Sequence, residues 1–254
     1  MTAKKPLISF RDLRKTFISR TGELEALGGV TFSVYPGEFV SIVGPSGCGK
    51  TTLLKILAGL LPKSGGEIEV DQEQFDPARQ VGFVFQKPLL LRWRKVIDNV
   101  LLPVEILRDD RSAKMQRAQE LLELVGLKGF EHSYPHELSG GMQQRVSIAR
   151  ALIHDPKVLL MDEPFGALDA LTRERMNLEL LRIWTEAKKT VLFVTHGITE
   201  AIFLSDRVVV LSARPSRMVN ALDIPLPRPR TLEGRTSPEF GKLALQIYNS
   251  LEMV

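Results

Sequence analysis

The chain has one cysteine, Cys48, among its 254 residues, so no internal disulfide framework is possible. It also lacks any apolar run near the roughly 20 residues that a membrane-spanning helix needs. Its longest apolar stretches, at 158–161 and 208–211, are only long enough for strands. The opening Met1-Thr2-Ala3-Lys4-Lys5-Pro6 has no apolar core, which excludes a secretion signal and leads us to expect a chain that stays in the cytoplasm. Charge of one sign is scarce: the net charge is only +4, with basic residues spread along the chain, and no nucleic-acid partner is expected. The exception is Arg214, Arg217, Arg228, Arg230 and Arg235 in the proline-rich stretch 215–238, which composition reads as a solvated, extended segment. With 44% hydrophobic and 25% charged residues, the composition is that of a globular domain. The length suits one large α/β domain, or a core carrying an insertion.

What is present is a set of polar clusters, each following a short apolar run. Phe39-Val40-Ser41-Ile42-Val43 reads as a strand buried on both faces, and Leu53, Leu54, Ile56, Leu57 and Leu60 recur at helical spacing, with Gly59 at the expected C-terminal cap. Between them lie Gly44, Pro45, Ser46, Gly47, Cys48, Gly49, Lys50, Thr51 and Thr52. The three glycines let successive N–H groups curl around an anion at the positive end of a helix, and phosphate is the natural guest. Lys50 would reach the β- and γ-phosphates, Thr51 would offer its hydroxyl to Mg²⁺, and Thr52 would close the turn near the α-phosphate.

Three further strand-like runs end in chemistry. Residues 81–85 lead to Gln86, 158–161 to Asp162 and Glu163, and 190–194 to Thr195 and His196. Ligands of open parallel sheets bind beyond the carboxyl ends of strands, so these groups are expected at the edge that carries the phosphate loop. Asp162 would hold Mg²⁺, and Glu163 is left to orient and deprotonate the attacking water. His196 would bond the γ-phosphate, and Gln86 would touch both metal and water. Leu138-Ser139-Gly140-Gly141 precedes an amphipathic helix bearing Val146, Ile148, Ala149 and Leu152, which makes a second anion site. One γ-phosphate does not need both, so two copies are expected to face each other, each lending Ser139, Gly140 and Gly141 to its partner's nucleotide.

Taken together these residues resemble the ATP-binding cassette of ABC transporters over nearly the whole chain. The phosphate loop matches the Walker A motif of that family and residues 158–163 its Walker B. Residues 138–141 begin its signature motif, with Met142 where the commonest form has Gln, while Gln86, residues 167–169 and His196 match its Q-loop, D-loop and switch histidine. Phe17 falls where the family stacks an aromatic ring on adenine, often a tyrosine, the alternative being a phenylalanine of the core. The resemblance implies an α/β fold: a RecA-like P-loop NTPase core (about 1–86 and 158–215) with an antiparallel β subdomain, an inserted α-helical subdomain (about 87–157) and a C-terminal extension (about 216–254). In the inserted segment Ser112 is the expected N-cap of a helix that Gly126 ends.

The same resemblance implies an ATPase with ATP and Mg²⁺ as ligands, working as a homodimer on the cytoplasmic face of the cell membrane. Its further partners would be integral membrane permease subunits and, indirectly, an extracytoplasmic substrate-binding protein. The segment Pro88-Leu89-Leu90-Leu91-Arg92-Trp93 is the candidate permease surface, or alternatively packs beneath the helical subdomain. Arg214-Pro215-Ser216-Arg217 and Leu226-Pro227-Arg228-Pro229-Arg230 resemble the nitrate, sulfonate and taurine importers. The alternative is a soluble ABC-type ATPase not coupled to transport. A repair or translation ATPase would need a coiled-coil insertion or a second cassette, and a small-molecule kinase would lack residues 138–141.

Overall fold

The computed structural model describes residues 5–20, 22–71, 75–187 and 189–252. In chain order the first elements are β1 (Ile8–Ser19), β2 (Gly22–Val34), β3 (Phe39–Val43), α1 (Lys50–Leu57), β4 (Gly65–Val70), α2 (Pro77–Gln80), β5 (Val81–Val84), α3 (Val96–Val100) and α4 (Leu102–Ile106). They continue with α5 (Arg111–Leu124), α6 (Gly140–Leu152), β6 (Val158–Asp162), α7 (Ala170–Ala187), β7 (Thr190–Val194), α8 (Ile198–Leu204), β8 (Arg207–Leu211), β9 (Met218–Asp223) and α9 (Pro238–Glu252). The chain divides into two compact units, Met1–Phe75 with Thr190–Val254, and Asp76–Lys189.

In the first unit the near-continuous apolar strands β3 and β7 are wholly buried, as parallel strands covered on both faces must be. Strand β3 pairs in parallel with β7 on one side and β8 on the other, with Ile42 opposite Val194 and Val209, while β9 runs antiparallel to β8. The chain therefore leaves β3 and β7 at the same end. A second, antiparallel sheet has the order β2-β1-β4. It meets the segment after β8 through a short bridge in which Gly28 N–H donates to Ser216 O at 2.8 Å and Ser216 N–H to Ala26 O at 3.1 Å. Helix α1 ends as expected: Gly59 takes φ +71°, its N–H bonds Ile56 O at 3.0 Å, and Leu60 N–H bonds Lys55 O at 2.8 Å.

The arginine- and proline-rich stretch corrects the reading from composition. It is solvated and extended only in part: Arg214, Arg217 and most of β9 are exposed, whereas Ser216 is fully buried and Arg228 and Arg230 dock on the end of α8. Arg228 donates to Leu204 O at 2.9 Å and to Asp206, and Arg230 donates to Ile202 O at 2.7 Å and Phe203 O at 3.0 Å. The cause is local: the last carbonyls of a helix lack intrahelical partners and carry negative potential, and guanidinium groups supply both donors and charge.

In the second unit β5 and β6 pair in parallel, with Val84 opposite Met161, so residues 86 and 162–163 follow the same ends of adjacent strands. Helix α6 lies against β5 at close range. A side chain on Gly82 would bring its Cβ to 2.3 Å from Ala151 O, Gln144 Nε2 donates to Phe85 O at 3.2 Å, and the His154 ring bonds Val81 O at 3.2 Å. Helix α5 buries Ala118, Leu121 and Leu122. Its N-cap is Asp110 rather than Ser112: the Asp110 carboxylate accepts from Ser112 N–H at 2.8 Å and Ala113 N–H at 3.3 Å, leaving Ser112 inside the first turn. Gly126, at φ +68°, ends it as expected. Among the described residues no helix is long and apolar enough to cross a membrane.

The contact at Gly82 has a measurable consequence. Gly82→Ala must push α6 away from β5, and overpacking of this kind costs about 2–3 kcal/mol. A clear fall in the urea unfolding midpoint is expected, and an unchanged midpoint would mean that α6 is not held against this strand.

Candidate functional site

The phosphate loop connects β3 to α1, and its glycines are there for two different reasons. Gly47 and Gly49 adopt φ +74° and +113°, a region that side chains resist. Gly44 and Gly49 are also hemmed in: a Cβ on Gly44 would stand 2.8 Å from Leu211 O, and one on Gly49 2.9 Å from Leu27 Cδ2. The loop is thus pressed between the end of β8 and the middle of β2. Gly49 is the N-cap of α1, with no side-chain cap and no acidic residue in the first turn, so nothing in that turn competes with an anion for the helix N-terminus. Lys50 is buried, and its ammonium donates to Gly44 O at 2.8 Å and Pro45 O at 2.9 Å. Thr51 and Thr52 follow in the first turn, half-buried. Ser46 and Gly47 are exposed at the loop's tip, and Cys48 is buried beneath it.

Two neighbours in this unit bear on the loop. Beyond β7, Thr195 bonds the buried Glu200 carboxylate and accepts from Gly197 N–H at 2.9 Å, which fixes the turn that carries the exposed His196. Arg214 has its guanidinium 3.2 Å from the point where a Cβ on Gly47 would stand. Arg214 is exposed, as composition implies, but its place beside the loop has no local signal in the sequence. Phe17 is a half-buried residue of β1 rather than a core ring, with Lys15 Nζ 5.1 Å from its centroid.

The second unit brings together Gln86, Asp162 and Glu163. Asp162 ends β6 and is buried, whereas Glu163 turns into the left-handed region at φ +45°, unusual for a residue with a side chain. Gln86 Nε2 donates to Glu163 Oε2 at 3.4 Å, and Gly166 lies under both. The following turn, 167–169, is clamped by Arg173, which donates to Phe165 O at 3.3 Å and Leu168 O at 2.9 Å. Hydrogen bonds from the Thr172 N–H and hydroxyl hold the Asp169 carboxyl below its ordinary pKa. The side chains are of the kind Mg²⁺ takes, the Thr51 hydroxyl in the first unit and the Gln86 amide oxygen and Asp162 carboxylate in the second, and among the described residues there is no cluster of three His, Cys, Asp or Glu. An ion that keeps waters and substrate oxygens as ligands needs no more from the protein.

Ser139 is the N-cap of α6, its hydroxyl accepting from Met142 N–H at 3.3 Å. Gly140 and Gly141 occupy the first turn, but a Cβ on either would meet nothing closer than 3.5 Å. Packing within the chain therefore does not require glycine there. Nearby, segment 88–94 is held rigid from below. Arg150 donates to Pro88 O at 2.6 Å and Leu89 O at 2.8 Å, and buried Asn99 bonds Leu91, Arg94 and Lys95. On this frame Leu89 and Trp93 are 57% and 74% exposed, too much apolar surface for residues packed beneath a subdomain.

Comparison with known proteins agrees with this geometry. A family model described as "ABC transporter" matches residues 27–166. An uncharacterized ABC transporter ATP-binding protein of Methanocaldococcus jannaschii is 47% identical over 98% of this chain and 92% of its own. The aliphatic sulfonates import ATP-binding protein SsuB of Bacillus cereus is 45% identical over 94% of each chain. Among solved structures, the dimeric structure of MJ0796, a bacterial ABC transporter cassette, superposes with a TM-score of 0.74 at 34% identity, covering 85% of this chain and 98% of that one. A post-hydrolysis state of the same cassette bound to ADP and Pi gives 0.73 at 33% identity, with the same coverage. With a phosphate-binding loop, a carboxylate pair after β6 and these relatives, the chain belongs to the ABC transporter family and is an ATP-hydrolysing cassette of the ABC ATPase fold.

Proposed function

We propose that the chain powers an importer as one of two identical cassettes. Each nucleotide would be held by the phosphate loop of one copy and by Ser139, Gly140 and Gly141 of the other. The observation that carries this reading is the pair of glycines at the start of α6: no contact within the chain calls for them, yet a partner's phosphate approaching the backbone would. The dimeric cassette among the structural relatives supports the same arrangement.

Within that arrangement Phe17 stacks on adenine, and residues 44–52 bind the phosphates. Glu163 orients the attacking water and takes its proton, worth about 10²–10⁴ in rate. Gln86 positions both the Glu163 carboxylate and the water, and His196 bonds the γ-phosphate. Thr51, Gln86 and Asp162 would hold Mg²⁺, which neutralises charge on the transferring phosphoryl group when bound. Driving such a dimer from mostly open to mostly closed takes about 5.5 kcal/mol of differential binding, or about half of that from each nucleotide.

The likeness to a sulfonate-import subunit supports a small oxyanion of the nitrate, sulfonate or taurine kind as cargo. The cargo would be delivered by an extracytoplasmic binding protein and carried through a separate permease at the membrane's cytoplasmic face. Leu89 and Trp93 would meet the permease. So would the adjoining cavity of about 430 Å³, bordered by Lys95, Asp98, Arg111 and His132.

Two experiments test this. Glu163→Gln is expected to bind ATP without hydrolysing it and to elute as an ATP-dependent dimer in size-exclusion chromatography with light scattering; a variant that stays monomeric and hydrolyses normally contradicts both roles. Trp93→Ala is expected to leave the ATPase activity of the isolated chain intact while lowering co-purification with the permease about tenfold, the scale of a buried aromatic anchor. Undiminished co-purification would remove this surface from the interface.

A further inference from the structure

A cavity of about 360 Å³ opens in the first unit, well away in sequence from the phosphate loop. Phe203, Leu226, Pro227, Arg230, Gly234 and Phe240 line it, so its wall is mostly apolar with one cation. The size lies at the small end of ligand sites, which run roughly 300–1,000 Å³.

The charge balance around Arg230 is uneven. Arg228 and Arg230 both bond the last carbonyls of α8, whose terminus supplies only about half a negative charge. Arg228 has in addition the Asp206 carboxylate, at 2.7 Å. Arg230 has three carbonyls, those of Ile202, Phe203 and Ile224, and among the described residues no carboxylate partner. Its Nε is buried without a hydrogen-bond acceptor. Burial, with the nearby Arg228 charge and against the opposing pull of Asp206, draws its pKa down to about 10, which still leaves it charged at neutral pH. The one carboxylate near it, Asp206, is bonded by Arg228, so Arg230 is a half-buried cation only partly balanced, and an anion that reached it would recover part of its burial cost. The cavity is also bordered by the first turn of α9, where Ser237 accepts from Phe240 N–H at 3.2 Å, and the positive end of this helix adds to the same sign of potential. The lining carboxylate, Glu239, is exposed and screened by water.

We propose that this cavity is a binding site for a small amphiphilic organic anion, its acidic head on Arg230 and its apolar body against Phe203, Leu226 and Phe240. The site is separate from the nucleotide and does not depend on how ATP is used.

Titration calorimetry on the full chain tests it, with a non-hydrolysable ATP analogue present to keep the probe out of the phosphate loop. Hexanoate is expected to bind saturably at one site, acetate and hexan-1-ol far more weakly. Arg230→Gln should weaken hexanoate about tenfold or more, as for loss of a charged hydrogen bond. Because Arg230 also caps α8, Gly234→Trp serves as a second variant: Gly234 lines the cavity and a Cβ there meets nothing within 4 Å, so a bulky side chain can be added at the cavity wall. This variant should abolish hexanoate binding and leave ATP hydrolysis unchanged. No saturable binding, binding untouched by Gly234→Trp, or equal binding of hexan-1-ol would overturn the proposal, and none of these would bear on the ATPase activity measured alongside.

Discussion

A loop that must present bare N–H groups to phosphate cannot also tolerate side chains, and much of the first unit is arranged around that constraint. Gly44 is backed by the carbonyl of Leu211 and Gly49 by Ala26 and Leu27, so the end of β8 and the middle of β2 together form the loop's walls. The bridge between residues 26–28 and Ser216 ties those walls to each other. Loosening any of them would let the loop leave the conformation that Gly47 and Gly49 hold at positive φ. The antiparallel sheet and the segment after β8 thus serve the nucleotide without touching chemistry. Arg214, drawn over Gly47 by the same bridge, adds positive charge beside the loop.

The second unit obeys a parallel logic with a different contact. Gln86 and Glu163 follow adjacent parallel strands, and their hydrogen bond joins the two strand ends. Helix α6 begins at Ser139 and is fixed to the strand before Gln86 by Gly82, Gln144 and His154. A displacement of β5 or Gln86 is therefore felt along α6, through Gly82 against Ala151 O and through the Gln144 and His154 side chains. Segment 88–94, braced by Arg150 and Asn99, extends the same rigid body to an exposed apolar surface. This gives a physical route by which a partner pressing on Trp93 would bias the groups that act on ATP.

Much of this was legible in the sequence because it depends on local residue order. Buried parallel strands announce themselves as apolar runs, and a glycine loop followed by Lys-Thr at a helix start has few other uses. Gly59 and Gly126 end their helices where spacing put them. The failures have two causes: a cap decided by backbone conformation two residues away, and partners that lie far along the chain. Asp110 outcompetes Ser112 only because its backbone stands outside the helix. Arg228 and Arg230 look solvated until the bare carbonyls of α8 are set beside them, 22 or more residues earlier. Arg214 falls in the same class, and so does the cavity around Arg230, which is built from three separate segments.

The central claim is that a complete hydrolytic centre forms only when two copies meet. The most direct measurement is ATP turnover per chain followed through serial dilution, with oligomeric state recorded by mass photometry at each step. Turnover should fall together with the dimer fraction and vanish for isolated chains. Undiminished turnover from chains shown to be monomeric would contradict the account.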